Sequence, residues 1–492
     1  MSRATYVPTL RCNQDDDLDQ KLDTYSLVEL TIVERISGLS RYDLRLTRVS
    51  SDEELKALGE KDLLGSNLTI ELTPEGHDGP TLRRHAEVCE VEAVRFDLEG
   101  DSVRLSLRLT LVPRFWRSTL VATQEIYLGQ TLPQILTTKL AGVGLEAGYL
   151  YQLLESYPSR DLVTQVDETD HAFISRWIER EGIGYFFDHT QDEDVVVFTD
   201  HNTGYGDGAT IGDDVRIIEA RHRVTRRDRL VSRFYGVDDY NYRTPSVSLL
   251  HMHELEQGYA GGVLDFGGHH KTPEEALRQA SLRAEASLGQ RRQLLFEGAN
   301  AGVCAGFRYL FDDALGAQQE ILVVEATHHL APAPETEGGV QTGALYRNSF
   351  VAVPTDTPYR PLRVTPWPRM LGLRTGVIEP GPGGQLNGIA QLDPEGRYTV
   401  QLHYDSIGDA RAKASHPVRM AQTFAGPNQG MHFPLRPGTE VVLAYVNGDP
   451  DRPIIVGAVP NPETRSPVRA ETANRNRITT ASGVLMEISE GR

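Results

Sequence analysis

Residues Glu440–Pro462 read EVVLAYVNGDPDRPIIVGAVPNP. Two apolar runs, Val441–Val446 and Ile454–Val459, flank a polar centre, and each is long enough for one strand. Asn447-Gly448 is the residue pair best suited to a tight turn with positive φ. Asp449-Pro450-Asp451-Arg452-Pro453 follows, and its two prolines fix φ near about −65° and remove two amide donors. The stretch therefore predicts two strands of a small barrel, joined by a stiff loop that stays out of the ladder. It describes a shape and carries no reactive group.

Upstream, the alternating Tyr398–Tyr404 run, Ala414–Met420 and the strand material from Gly376 bring the total to five short strands over 376–462. That number suits a small barrel of the OB type. Five prolines between Pro354 and Pro368 read as a stiff boundary. Before it, Tyr25–Val33, Tyr42–Val49, Asn67–Thr73, Glu87–Phe96 and Val103–Val112 alternate apolar and polar residues, as half-buried strands do. Helices are expected at Asp52–Leu58, at Leu132–Leu140 and at 272–288, where Thr272-Pro-Glu-Glu275 reads as a capping box with proline at the first helical position.

Between Tyr157 and Phe187, Asp167 is the expected helix N-cap, with Glu168 and Asp170 adding negative charge to the first turn. Phe173, Ile174, Trp177 and Ile178 form one apolar helical face, and Gly182 sits where a left-handed C-terminal residue belongs. A hairpin of Ile183–Phe187 and Val195–Phe198 follows, and a further strand is expected at Leu230–Tyr235. The fold class is mainly β with some helices (α+β). The expected divisions are 1–150, 151–353, a proline-rich linker 354–375, an OB domain 376–462 and a closing segment 463–492.

The chain has 492 residues, too many for one core, so about three or four domains are expected. Lys and Arg total 50 against 69 Asp and Glu, a net charge of −19 that disfavours nucleic acid and anionic lipid as partners. Cys12, Cys89 and Cys304 are too scattered for a disulfide framework or a zinc site. The first seventeen residues hold no apolar signal segment, and no run approaches the ~20 apolar residues of a membrane span.

HMHEL at His251 lacks the second histidine of a zinc-protease helix, because Gln257 stands there. His269-His270 and His328-His329 meet no metal spacing, and His328-His329 closes a strand, where solvated or backbone-bonded histidines are usual. Asp15-Asp16-Asp17 with Asp19 lacks the glycine and glutamate of a calcium loop and reads as a solvated loop. Gly206-Asp-Gly208 reads as a turn, and Asp192-Glu193-Asp194 as an exposed one. No catalytic residue, cofactor site or metal site is expected.

GDPDRPIIVGAVPN (448–461), preceded by Gly430, Pro434-Leu-Arg-Pro-Gly438 and Glu440-Val441, resembles the VgrG spike proteins of type VI secretion. The matched OB residues are Asn447, Gly448, Asp449, Pro450, Asp451, Arg452, Pro453 and Gly457. Arg397–Asp405 resembles the same family's GRVKVQFHWD, and Phe424-Ala-Gly426 its WAG. Upstream, Asp167, Asp170, Phe173, Arg176, Gly182, Tyr185 and Phe187 match its ESDFxFxxRLxEExGIxYxF hub motif. Tyr404, Leu435, Pro437 and Pro460 depart from the pattern within the barrel. Asn474–Ile488, with Val484, Met486 and Ile488 alternating, resembles the beginning of the family's trimeric β-prism or β-helix.

The resemblance implies a phage-hub-like assembly of β-barrel domains, an OB neck and a needle. It implies a homotrimer that caps a Hcp-type tube protein, meets baseplate proteins, carries a PAAR-type tip and delivers effector cargo. It also implies assembly in the cytoplasm followed by secretion or delivery into a target cell, with no stable membrane anchor and no reaction catalysed. A phage tail or extracellular contractile-injection hub is the alternative within this fold. A cell-wall-degrading enzyme is the alternative of another class.

Overall fold

The computed structural model describes residues 4–51, 63–76, 79–97, 102–208, 217–218, 223–312, 318–332, 344–380, 388–405 and 414–490. The expected helix at Asp52–Leu58 lies outside them. Two compact units are formed. One comprises Met1–Leu120, Leu136–Ser156 and His171–Thr365, and the other Val121–Ile135, Tyr157–Asp170 and Pro366–Arg492.

Eight strands of the first unit close on themselves. Their order is Gln318–Pro332, Ser26–Arg35, Arg41–Ser51, Ser102–Val112, Leu82–Asp97, Asn67–Pro74, Ala4–Arg11 and Ala344–Pro354. The last pairs back onto the first, so no edge remains in this ring. Its strands come from both sides of position 150. Alternation chooses the inside: Leu107, Leu109 and Leu111 are buried while Arg108 is exposed. Each such leucine contributes about 1.5–3 kcal/mol by leaving water.

The two closing strands are long enough to serve a second group. Beyond the ring, Gln318–Pro332 pairs with Phe307–Asp312, and Ala344–Pro354 pairs with Arg292–Gly298, which carries Arg223–Asp228 at its outer side. An aromatic core fills this group, with Phe296 stacked on Phe350 at 4.5 Å and Phe311 set edge-on at 5.1 Å. Gly206-Asp207 pairs with Phe307-Arg308, so the turn expected there is a short strand, its Gly206 backbone lying over the Phe307 ring.

The expected hairpin is present as Gly184–Asp188 paired with Val195–Thr199, joined in parallel by Tyr149–Gln152. Helix Leu132–Gly142 is present. Helix Pro273–Leu288 opens as predicted, with Thr272 accepting from the Glu275 amide at 3.3 Å, but the return bond goes elsewhere: Glu275 accepts from the Lys271 amide. Against this helix lies a three-stranded sheet with Phe234–Asp238 in the middle. The strand predicted from Leu230 therefore begins later, because pairing with His251–Glu254 starts at Phe234 and Leu230 is 78% exposed.

In the second unit five strands form one sheet, ordered Val400–Leu402, Arg374–Ile378, Glu440–Tyr445, Pro453–Ala458 and Arg419–Met420. Val441, Leu443 and Ile455 are completely buried in it, with Tyr398 and Val400. Pro453 joins the ladder opposite Tyr445, as the first residue of its strand, where the missing amide is tolerated. Ala122–Tyr127 pairs with Val163–Thr169 in the same unit. A hairpin of Arg475–Thr479 and Leu485–Ser489 follows the sheet.

Candidate functional site

The residues singled out in the OB stretch build one rigid corner. Asn447 and Gly448 take φ of 57° and 70°, the paired positive values their identities predict. The Gly448 carbonyl accepts from the Met370 amide at 2.7 Å. Asp449 is buried, accepts from the Asp451 amide at 3.1 Å and faces Arg452 at 3.4 Å, while the Arg452 carbonyl accepts from the Val446 amide at 3.0 Å. Pro450 and Pro453 hold the bend. Asp451 reaches out of the corner: its carboxylate accepts from the Thr164 amide at 2.6 Å. Gly457 lies beside the bulge between Val442 and Leu443, with open space where a Cβ would be.

The hub motif is divided between the units. Asp167 is not the helix N-cap. Its strand runs on to Thr169 by pairing with Ala122–Tyr127, so the helix begins only at Asp170. Asp167 instead has φ of 50° and pairs with Arg374 at 3.0 Å, and the buried Asp170 accepts from Gln165 at 2.8 Å. In the first unit, Phe173 and Trp177 are buried with the Arg176 guanidinium 5.0 Å and 5.5 Å from their ring centres. Gly182, at φ 71°, closes the helix: its amide donates to Glu179 and the Ile183 amide to Ile178. Tyr185 and Phe187 are buried, the Tyr185 ring edge-on to Phe115 at 5.4 Å and its hydroxyl 3.3 Å from His171.

Sequence reading missed a buried polar cluster in the closed ring. Glu34 and Arg84 form a two-pronged ion pair there, with Arg84 Nη2 3.2 Å from Glu34 Oε2 and 3.1 Å from Cys304 Sγ. His328 is also fully buried and not a solvated strand end, because it is at an inward position; its Nδ1 lies 2.6 Å from the Tyr346 hydroxyl and its Nε2 3.8 Å from Glu34. Burial alone would raise the Glu34 carboxyl, but the neighbouring Arg84 and His328 hold it well below the usual carboxylate range. Burial lowers His328. His189 Nδ1 accepts from the His85 amide at 3.2 Å, which leaves the neutral ring's proton on Nε2, 3.1 Å from the Tyr42 hydroxyl. The period-2 pattern carried one signal, since it puts Glu34 on the face of Leu30 and Ile32.

Two acidic clusters also differ from expectation. Asp194 is buried and not in an exposed turn, because it holds the Arg114 side chain at 2.6 Å and its amide at 2.9 Å. Asp15 caps a helix Asp16–Leu22 instead of lying in a loop, accepting from the amides of Asp17 and Leu18. His253 faces Ser281, His270 faces the Leu249 carbonyl and His329 faces Thr31. Among the described residues, no three such ligand atoms converge within either unit.

What remains is surface. Ile478, Val484, Leu485, Met486 and Ile488 of the closing hairpin are all exposed, although Glu487 is clamped between Arg475 and Arg477. The two strands have no further sheet neighbour among the described residues.

Residues 33–333 match the family model of the phage tail baseplate hub (GPD), and residues 389–459 that of the type VI secretion system/phage-baseplate injector OB domain. The type VI secretion system spike protein VgrG5 of Pseudomonas aeruginosa is 28% identical over 471 residues, covering 88% of this chain and 55% of that protein. The chain thus spans about half the length of the first curated relatives it matches. Among solved structures, an E. coli type VI secretion component described as similar to the T4 phage tail proteins gp27 and gp5 superposes with a TM-score of 0.61 at 20% identity, covering 92% of this chain and 99% of that one. The Francisella PdpA–VgrG complex gives 0.60 at 10% identity, covering 99% and 83%.

Proposed function

The chain belongs to the phage tail baseplate hub family, among the VgrG-type spike proteins, and from that premise we propose that it is the structural hub and spike of a type VI secretion machine. The observation that carries this reading is the order of the two matches, a hub over 33–333 and then an injector OB domain over 389–459. In this reading residues 1–353 form the hub, 354–375 the linker, 376–462 the OB neck and 463–492 the start of the spike. Three copies assemble, because a two-stranded hairpin with its apolar residues in water is marginal alone and is stabilised by neighbours. The hub caps a Hcp-type tube, the spike carries a PAAR-type tip, and cargo travels with them from cytoplasm to target. The chain itself makes and breaks no bond.

Light scattering of the purified chain tests the assembly: the expected mass is three times 54.6 kDa. A stable monomer at micromolar concentration would overturn it. A peptidoglycan-hydrolysis assay showing turnover would remove the non-enzymatic part. The phage-tail alternative keeps the same assembly, since one of the two family models covers both machines.

A further inference from the structure

On a chain of net charge −19, residues 221–233 hold six arginines. Their centre is the strand Arg223–Asp228, all six residues of which are exposed. It is the last strand of its sheet: Arg292–Gly298 pairs on one side, and no described strand pairs on the other. The ends of the strand are neutralised by that neighbour, Arg223 facing Glu297 at 3.7 Å and Asp228 facing Arg292 at 3.0 Å. The middle is not. Arg226 and Arg227 stand opposite Leu294 and Gln293, and no carboxylate among the described residues pairs with either.

Backbone parity sets what the free edge offers. The Arg229 amide donates to Arg291 at 2.8 Å, so the odd-numbered residues of this antiparallel pair turn their backbone groups toward the neighbour. Val224, Arg226 and Asp228 therefore present their N–H and C=O outward, while Arg226 and Arg227 project to opposite faces of the strand. The site thus combines ladder positions that no described strand fills with two arginines, one on each face, that no described carboxylate pairs.

We propose that this edge takes up an acidic, extended segment of a partner polypeptide as an added strand. Strand addition uses main-chain bonds for affinity and alternate side chains for choice, and here the choice is for carboxylates. A nucleic acid would use the arginines but not the outward amides, so the paired features favour a peptide. The inference does not depend on the spike reading.

The test uses the intact chain and a fluorescein-labelled nonapeptide alternating Glu with Val, with a Lys/Val peptide and a single-stranded oligonucleotide as comparisons. Anisotropy is expected to show binding of the Glu peptide alone, weakening as salt rises. R226E/R227E should weaken it about tenfold or more. V224P keeps every arginine and removes one outward amide without touching the neighbouring ladder, so it should also weaken binding. Unchanged thermal melts would show that both variants fold. Equal binding of the two peptides, tighter binding of the oligonucleotide, or full binding by V224P would each overturn the proposal. So would aggregation of R226A/R227A without peptide binding by the parent chain, since the arginines would then serve only to blunt an edge.

Discussion

At the scale of single residues, Glu34 and Arg84 have the most to lose, at 5% and 3% exposure. A buried pair adds little net stability, but removing one partner leaves the other charge uncompensated. Arg84→Ala is expected to lower unfolding stability by about 3–5 kcal/mol, read from urea midpoints, and Glu34→Gln/Arg84→Met should recover much of that. His171 supplies a pH test. Burial lowers it to about 4, so the folded chain holds it neutral where the unfolded chain, with a value near about 6.5, binds a proton. Its contribution is complete above about pH 6.5 and is lost as the pH falls from there toward 4. Between pH 7 and 5 the loss is about 2 kcal/mol. His171→Gln should flatten the stability–pH curve by that amount, and an unchanged slope would refute this account.

At the scale of elements, the helix ending at Gly182 rests on one backbone geometry. A Cβ there would lie 2.7 Å from Leu282 Cδ2, at a φ of 71° that alanine adopts at a cost. Gly182→Ala should cost about 1–3 kcal/mol, visible as a lower melting midpoint, whereas Gly457→Ala meets open space and should be nearly neutral. These local features were legible in sequence: the Asn447-Gly448 turn, the proline-opened helix at Thr272 and the alternating SVRLSLRLTLV strand all follow from short-range pattern. Asp167 departs from its local pattern for the opposite reason. Its helix start was moved by pairing with Ala122–Tyr127, about forty residues upstream, which no local rule reports. The period-2 pattern puts Glu34 on the inward face, but nothing in it marks the partner fifty residues away.

At the scale of the whole molecule, the spike reading makes the closing hairpin an assembly element. Deleting residues 475–492 is expected to convert the trimer to monomer or to a weakly associating species in light scattering, without loss of the circular-dichroism melt of the remaining domains. A trimer unchanged by the deletion would place the assembly contacts elsewhere. The arrangement of the hub could not be read from the chain. Its ring depends on pairing Ser26–Arg35 with Gln318–Pro332, nearly three hundred residues apart, and such pairings leave no periodic trace.

The sharing of Gln318–Pro332 and Ala344–Pro354 between the closed ring and the aromatic group bears on how the hub withstands force. These two strands pair along their length, from Ile321 with Pro354 to Pro332 with Ala344. Tension that draws one strand along the other loads all those bonds in shear at once, so the two strands part only when the bonds break together. The hairpin Arg475–Thr479 with Leu485–Ser489, pulled apart at its open end, would instead peel one pair at a time. On a single-molecule puller the hub should therefore yield last and in one step, well after the hairpin has unzipped.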